Sequence, residues 1–208
     1  MGALDFKPVL NALHGAAVFN RRVRVLATHL ADAIPSRGTV LDLGCGDGQV
    51  AAALMRLRPD LKAEGVDVML RPRTYIPVSQ YDGVRLPFGA GNFDYVTIVD
   101  VLHHTDDPAA VLSEAARVAR HGIVVKDHLL EGVLAGPTLR FMDWVGNRGH
   151  NVVLPYNYLS RREWMEAFSL ARLTTQSSTA RLGLYPPPFS WLFDRNLHFV
   201  ALLAPRPA

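Results

Sequence analysis

Short apolar runs and amphipathic stretches alternate along the first two thirds of this chain. Residues 39–43 are apolar apart from one aspartate, and the glycine-rich turn after them leads into residues 49–56, which have helical composition and end before Pro59. A second short apolar run covers residues 63–68, and a third begins at Phe93. Runs that are apolar on both faces are typical of parallel strands buried between layers of helices. The pattern therefore predicts an α/β fold with a doubly wound, mostly parallel sheet.

Helical periodicity dominates the N-terminal segment. It extends over residues 6–34 in two pieces that break near Gly15, and a turn-forming stretch at residues 35–38 separates it from the first predicted strand. This pattern predicts that residues 1–36 form an N-terminal helical cap rather than a separate domain. The whole chain, residues 1–208, is expected to form one domain.

The second half of the chain departs from the simple alternation. Residues 129–159 hold an apolar helical segment followed by polar and aromatic positions, which predicts a lid or substrate-binding insertion. Ser160 and Glu163 form a capping box for a last helix, and residues 173–182 and 198–203 predict two further strands. We expect substrate contacts in this insertion, because it is not part of the predicted core elements.

Composition narrows the class of protein. With 208 residues, 49% of them hydrophobic and 20% charged, the chain has the size and composition of one globular domain. Its single cysteine, Cys45, cannot form an intramolecular disulfide and is expected to serve as a small turn residue. No apolar run approaches the roughly 18 residues of a membrane span. The N-terminus has no signal pattern, so a cytoplasmic location is expected.

The charge pattern does not favour a nucleic-acid partner. The formal net charge is only +3, and the arginines are scattered rather than grouped in a basic run. Solvated helix faces explain such arginines better than a phosphate-binding track does. The oligomeric state is left open by these observations.

The glycine-rich turn after the first strand predicts a nucleotide-like ligand. Gly44, Gly46 and Gly48 let the backbone approach a ligand where a Cβ would clash. The dinucleotide-binding fingerprint places its third glycine three residues after the second, where this chain has Gln49. The spacing is instead GxGxG, with Asp42 two residues before the first glycine. A dinucleotide is therefore not the expected ligand.

Four segments, in the expected order, resemble the class I S-adenosylmethionine-dependent methyltransferases. The loop preceded by Asp42 resembles motif I of that family, and Asp67 follows about 20 residues later, where an acid can accept from both ribose hydroxyls. Residues 81–88 resemble the family's turn after strand three, and residues 93–104 resemble the strand-four segment of its small-molecule branch. The resemblance spans residues 39–128 and is more specific than any one motif.

The resemblance implies a Rossmann-like sheet of seven strands in the order 3-2-1-4-5-7-6, with strand seven antiparallel. It implies S-adenosylmethionine as the cofactor, with Asp67 on the ribose and with Asp82 and Gly83 at the adenine. A small-molecule acceptor is implied as well, because base-modifying relatives carry an Asn-Pro-Pro-aromatic turn where this chain has residues 100–104. The cofactor-binding residues that these matches imply are Asp42, Gly44, Cys45, Gly46, Asp67, Val68, Asp82, Gly83 and Asp100.

Candidate bases follow strands four and five, at the edge where a doubly wound sheet opens its crevice. His103 and His128 are the candidate catalytic residues, and a neutral histidine base predicts turnover that rises with pH through about 6.5. Catechol-type enzymes of this fold bind magnesium through carboxylates at places that Asp100 and Asp127 occupy here. Those enzymes have Asp followed by Asn where this chain has Asp127 and His128. No metal is therefore predicted.

The candidate substrate-binding residues of the insertion are Arg148, His150, Tyr156 and Tyr158. Two functions remain open: a methyltransferase acting on oxygen, nitrogen or carbon of a small molecule, and a protein of the same fold that binds S-adenosylmethionine or S-adenosylhomocysteine as a regulatory or partner subunit. Intact cofactor motifs fit both, and a lid with several candidate bases favours the enzyme. Aminopropyl transfer is disfavoured, because the paired acids that it needs after strand four are replaced by two histidines.

Overall fold

The computed structural model describes residues 7–146 and 156–206 of the chain. Within these residues lies a seven-stranded sheet with the strand order 3-2-1-4-5-7-6. The strands are β1 (Gly38–Leu43), β2 (Leu61–Asp67), β3 (Val78–Gln80), β4 (Phe93–Val99), β5 (Ala119–His128), β6 (Leu173–Thr179) and β7 (His198–Pro205). Strand β7 runs antiparallel to both of its neighbours, and the other pairs are parallel. The predicted Rossmann-like sheet is confirmed in class, order and direction.

Helices cover both faces of this sheet. They are α1 (Lys7–Ala33), α2 (Gln49–Leu57), α3 (Pro108–Val118), α4 (Ala135–Gly146), α5 (Arg161–Leu170) and the short α6 (Ser190–Phe193), with a 3-10 turn at Leu102–His104. Leu26 of α1 packs in one buried cluster with Val40 of β1. Leu112 of α3 and Trp164 of α5 pack in a second cluster with Ile98 of β4. In the described parts of the chain, no helix combines the length and apolar content needed to cross a bilayer.

Helix α1 is continuous, so the predicted break near Gly15 is wrong. A glycine inside a helix costs only about 1 kcal/mol relative to alanine, which tertiary packing can offset. Leu30, further along α1, packs in a buried cluster with Leu54 of α2 and Val200 of β7. The helix is therefore held against both an adjacent helix and the sheet by contacts that the local sequence does not reveal.

Strand β5 extends further than its apolar pattern suggests. It pairs with β7 as far as His128, which lies opposite His198, and Asp127 lies opposite Phe199. Asp127 and His128, expected in the loop after the strand, are therefore part of the sheet. Pairing with β7 fixes the backbone of both residues in register, and so fixes the face of the sheet on which each side chain lies.

The start of α5 has the predicted capping box. Ser160 accepts from the amide of Glu163, and the Glu163 side chain accepts from the Ser160 amide. The first turn of this helix carries Trp164, whose indole Nε1 donates to the carbonyl oxygen of His128 at 2.9 Å. The cap therefore also helps to position the end of β5 that carries a candidate base.

Candidate functional site

The glycine-rich loop between β1 and α2 lies at the carboxyl edge of the sheet. Gly44, Gly46 and Gly48 have φ angles of 71°, 59° and 79°, a region that residues with a Cβ rarely adopt. A Cβ at Gly44 would lie 2.5 Å from Val101 Cγ2, and one at Gly48 would lie 2.4 Å from Ile76 Cγ1. A Cβ at Gly46 would meet no described atom within 4 Å. Gly46 therefore faces open space, whereas the other two glycines are close-packed.

The carboxylate of Asp67, at the end of β2, lies directly against this loop. Its Oδ2 accepts from the Gly46 amide at 2.8 Å, and its Oδ1 accepts from the Met69 amide at 2.9 Å. Each carboxylate oxygen can accept more than one hydrogen bond, so two ribose hydroxyls could donate to the same group. The structure thus brings the predicted ribose-binding acid and the glycine loop together.

The turn after β3 continues the same edge of the crevice. Asp82 Oδ1 accepts from the amides of Val84 and Arg85, both at 2.8 Å, and these bonds lower the pKa of the Asp82 carboxyl. A Cβ at Gly83 would lie 3.2 Å from Val68 Cγ1, so Gly83 and Val68 are neighbours. The residues predicted to contact adenine therefore lie beside the end of β2 that carries the ribose acid.

The side chains of Asp42 and Cys45 pack against neighbouring strands of the sheet. Asp42 is 3% exposed, and its Oδ1 accepts from Thr97 Oγ1 of β4 at 2.8 Å. A Cβ at Gly65 would lie 2.3 Å from Cys45 Sγ, and burial raises the pKa of the Cys45 thiol. These contacts show that both side chains support the loop, and the predicted part of Asp42 and Cys45 in cofactor binding stays a prediction.

The pKa of Asp42 makes folding stability depend on pH. Burial raises this pKa to about 7, against the opposing hydrogen bond from Thr97. The unfolded chain ionises Asp42 near its ordinary value of about 3.9. The stability contributed by the raised pKa is therefore fully present below the unfolded pKa of about 3.9. It is lost progressively as the pH rises from there through the folded pKa of about 7.

We expect the Asp42→Asn variant, which keeps the acceptor oxygen for Thr97, to lack this loss of stability. The free energy of unfolding of the variant, relative to that of the parent, should therefore rise by about 2 kcal/mol between pH 5 and pH 6.5. Denaturant titrations of both proteins at the two pH values measure the change. Parallel stability profiles would contradict a protonated Asp42 at the lower pH.

Asp100, at the end of β4, is held by two cations. Its carboxylate accepts from Arg22 Nη2 at 2.5 Å and from Lys126 Nζ. Burial raises the pKa of the Asp100 carboxyl, but Lys126 and Arg22 oppose burial and hold that pKa well below its usual range. Asp100 is one of the residues that the resemblance predicts to bind the cofactor. Both of its oxygens are already paired in this structure, so a cofactor ammonium would have to share them.

His103 is a buried cation. Its Nδ1 lies 2.6 Å from Asp127 Oδ1 and its Nε2 lies 3.4 Å from Asp143 Oδ1. Burial lowers the pKa of His103, but the two carboxylates outweigh burial and raise that pKa to about 10. A histidine that is charged at neutral pH cannot accept a proton. The expected titration near 6.5 is therefore wrong for His103.

His128 is the neutral imidazole of the same cluster. Its Nε2 lies 3.7 Å from both Asp100 Oδ1 and Asp143 Oδ1. Burial, followed by the positive charges of Lys126 and His103, lowers the pKa of His128 well below its ordinary value. Its buried Nδ1 has no hydrogen-bond partner among the described residues. His128 therefore has a ring nitrogen that can accept a proton, but it is not expected to titrate near 6.5.

Two of the four predicted substrate-binding residues lie in the described part of the chain. The hydroxyl of Tyr158 donates to Asp143 Oδ2, and burial and this bond raise the pKa of Tyr158. The Tyr158 hydroxyl therefore helps to orient Asp143, and its predicted contact with a substrate stays a prediction. Tyr156 is half-buried beside it, with ring centroids 6.2 Å apart. Arg148 and His150 lie outside the described residues.

Sequence reasoning missed three charged residues that shape this cluster, namely Arg22, Lys126 and Asp143. Two of them carry a signal that could have been used. Lys126 interrupts the apolar run of β5, and Asp143 lies four positions after the buried Leu139 on the inner face of α4. Charged residues are rarely buried without a partner, so a lone charge in an apolar stripe indicates an ion pair or a functional site.

Comparison with known proteins identifies the family of the chain. A family described as a methyltransferase domain matches residues 17–176. A demethylmenaquinone methyltransferase of Roseiflexus sp. (strain RS-1) is 35% identical over 116 residues, covering 51% of this chain and 48% of the relative. A 27-O-demethylrifamycin SV methyltransferase of Amycolatopsis mediterranei (strain S699) is 30% identical over 128 residues, covering 53% and 47%. The chain thus spans about half the length of these curated relatives.

Solved structures share the fold over nearly the whole chain. A chain of the complex between the Haloferax volcanii Trm112 methyltransferase activator and a methyltransferase is similar with a TM-score of 0.68. The match covers 99% of this chain and 100% of that one. The sequence identity is 18%, so this similarity shows a shared fold and nothing about function. Together with the family match over residues 17–176, these findings show that the chain belongs to the methyltransferase-domain family, within the class I, S-adenosylmethionine-dependent group.

Proposed function

We propose that this protein transfers a methyl group from S-adenosylmethionine to a small-molecule acceptor. The observation that carries the proposal is the position of Asp67, whose carboxylate accepts from the Gly46 amide at 2.8 Å at the carboxyl edge of the sheet. The turn of Asp82 and Gly83 lies beside it. Ligands of doubly wound sheets bind in this crevice. The two curated relatives described above are named for methylating small molecules, which supports an acceptor of that class over a nucleic acid.

Methyl transfer needs few protein groups, because the sulfonium methyl is already electrophilic. A lone pair of the acceptor forms the new bond to the methyl carbon, the carbon–sulfur bond breaks, and sulfur keeps the electron pair. Alignment of the acceptor with that bond accounts for much of the rate. If the acceptor carries a proton, neutral His128 is the group that we propose to take it. His103, as a cation, would stabilise negative charge that develops on an acceptor oxygen.

Replacing Asp67 with alanine tests the cofactor site. The variant should bind S-adenosylmethionine with a free energy weaker by roughly 1.5–3 kcal/mol, the contribution of hydrogen bonds to a charged group. Calorimetry measures the affinity, and Asp60→Ala is the matched control. The exposed Asp60 pairs with Arg58 just before β2, at the opposite end of the strand from Asp67. Equal affinities for the parent and the Asp67 variant would remove Asp67 from the site.

Replacing His128 with glutamine tests the proposed base. Turnover should fall by roughly 100-fold while cofactor affinity stays nearly unchanged, because general-base catalysis acts on the acceptor. Formation of S-adenosylhomocysteine can be followed by mass spectrometry with a panel of demethylated quinones and phenols. The exposed His121 supplies the control variant His121→Gln. Full turnover in the His128 variant would show that positioning alone carries the reaction.

The same assay separates the enzyme from its alternative. A protein that binds S-adenosylmethionine tightly, yet forms no methylated product with any acceptor of the panel or of a metabolite extract, would be a cofactor-binding partner or regulatory protein of the same fold. A product heavier by one methyl group would establish the enzyme and identify its acceptor.

A further inference from the structure

We propose that the groove between α1 and α2 binds the phosphate group of a small phosphorylated molecule. A cavity of about 510 Å³ lies in this groove, and it is lined by Asn20, Val23, Arg24, Gln49, Arg56 and Tyr75. Its volume falls within the roughly 300–1,000 Å³ that is typical of small-molecule sites. None of these lining residues is among those predicted to bind the cofactor or the substrate. The inference goes beyond the proposed methyl transfer and does not depend on it.

The polar side chains of the groove lie along one face of each helix. Asn20 and Arg24 are four positions apart on α1, which is about one helical turn. Gln49 and Arg56 are seven positions apart on α2, which is about two turns. Each helix therefore brings one arginine and one amide side chain to the same cavity.

The walls of the groove are fixed by contacts below and beside it. Val23 and Ala27 of α1 pack with Ala53 of α2 in a buried cluster, which holds the two helices together. On the other side, the Tyr75 amide donates to the carbonyl oxygen of Asp47 at 2.8 Å. The backbones that carry the lining residues are therefore already in place before a ligand binds.

Two positive charges of the groove are not neutralised by its own walls. Arg24 and Arg56 are exposed, and among the described residues the side chain of neither has an ion-pair or hydrogen-bond partner. No acidic residue is among the lining residues. Asp47, close by in sequence, accepts from the Gln49 amide at 3.1 Å and from Gln49 Nε2 at 2.6 Å, so both of its oxygens are paired. The groove therefore suits an anion.

Charge and shape favour a phosphate monoester over a carboxylate. A phosphate monoester carries about −1.5 to −2 charges at pH 7 and has three strong acceptor oxygens, which balance two guanidinium groups that are always charged. A carboxylate supplies only one negative charge. The Asn20 amide and the Tyr75 hydroxyl can donate as well. The Tyr75 side chain is 61% exposed, so its ring also offers a surface on which a planar group attached to the phosphate can stack.

A nucleic acid also carries phosphates, but it fits this groove less well. Binding of a strand depends on many arginine or lysine contacts along a track of phosphates, whereas this cavity offers two arginines that are far apart in sequence. The formal net charge of the chain is only +3. Sequence analysis assigned the arginines to solvated helix faces, and the fold brings Arg24 and Arg56 to one cavity.

Isothermal titration calorimetry with phenyl phosphate, in a phosphate-free buffer with and without excess S-adenosylmethionine, tests the proposal. One equivalent should bind with a Kd below about 1 mM, whether or not the cofactor is present. Arg24→Gln and Arg56→Gln should each bind at least about 10-fold more weakly, because each loses charge-assisted hydrogen bonds. Benzoate and phenol should bind more weakly than phenyl phosphate. Arg37→Gln, at an exposed arginine on the turn before β1, should bind as the parent does.

Several results would overturn the site. One is a Kd for phenyl phosphate weaker than about 1 mM. Another is unchanged affinity in both the Arg24 and the Arg56 variants, which would place the anion elsewhere. Competition with S-adenosylmethionine would assign it to the cofactor crevice, and equal binding of phenol would show that the phosphate is not recognised.

A single-stranded oligonucleotide separates the two sources of phosphate. If it binds more tightly than phenyl phosphate and loses affinity in the same two variants, the groove is a nucleic-acid site and the proposal of a small ligand fails. Weak oligonucleotide binding that the two variants leave unchanged supports the small ligand. None of these readouts requires methyl transfer, so failure of the proposed function would leave the phosphate site intact.

Discussion

A Gly46→Val variant is expected to fold and to bind S-adenosylmethionine at least about 100-fold more weakly than the parent, a loss of about 2.7 kcal/mol. Gly46 has φ of 59°, and a Cβ there would meet no described atom within 4 Å. The added methyl groups would therefore enter the crevice beside Asp67, where the ligand is proposed to bind. Calorimetry measures the affinity, and thermal unfolding shows whether the variant is folded.

Two other glycines supply the comparison that this experiment needs. Gly91 has φ of 62° with no described atom within 4 Å of an added Cβ, and it precedes β4, at the edge of the sheet opposite the crevice. Gly91→Val carries a similar backbone strain of about 1–2 kcal/mol and should bind the cofactor normally. Gly44→Val should instead lose stability, because its Cβ would lie 2.5 Å from Val101 Cγ2. Normal binding by a folded Gly46→Val protein would contradict the proposed position of the cofactor.

Replacing Asp127 with alanine should lower the free energy of unfolding by about 3–5 kcal/mol, as expected when one partner of a buried ion pair is removed. Asp127 has 0% exposure, and its carboxylate is 2.6 Å from His103 Nδ1. It also accepts from the backbone amides of Leu102 and His128, at 3.0 and 2.7 Å. The substitution therefore leaves a buried imidazolium with a weaker counter-charge and two amides without their acceptor.

Denaturant unfolding of Asp127→Ala measures this loss. Asp106→Ala removes the same charge from an exposed position on the loop before α3, and it should change stability by less than about 0.5 kcal/mol. Asp127→Asn, which keeps one acceptor oxygen, should lie between the two. If Asp127→Ala were as stable as Asp106→Ala, the ion pair between Asp127 and His103 would not contribute to the fold.

The proposed cofactor-binding residues and the histidine cluster differ in how far apart in sequence their contacting residues lie. Gly46 and Asp67 are 21 positions apart but belong to neighbouring parallel strands and their loops, so a short motif and one strand fix their separation. Asp143 and His103 are 40 positions apart, on a helix of the insertion and on a 3-10 turn. Only the packing of α4 brings His103 and Asp143 together.

The amino-acid sequence alone was enough to predict the glycine loop and the acid that lies against it. Two-sided apolar runs, glycines at fixed spacing and an acid at the end of the second strand reflect local rules of backbone geometry and burial, and the family resemblance supplied the order of the strands. The capping box of Ser160 and Glu163 was determined in the same way. Each of these features depends on residues that are close in sequence or on adjacent strands.

The protonation of the buried groups, and their pairing with one another, followed from the packing of the folded chain. This packing joined α1 into one helix past Gly15, paired Asp100 with Arg22 and Lys126, and directed Tyr158 at Asp143. It also raised the pKa of His103 to about 10 and lowered that of His128. A pKa depends on burial and on charges within a few ångströms, and those neighbours come from elements far apart in the chain. Sequence spacing alone therefore located the histidines but could not assign their protonation.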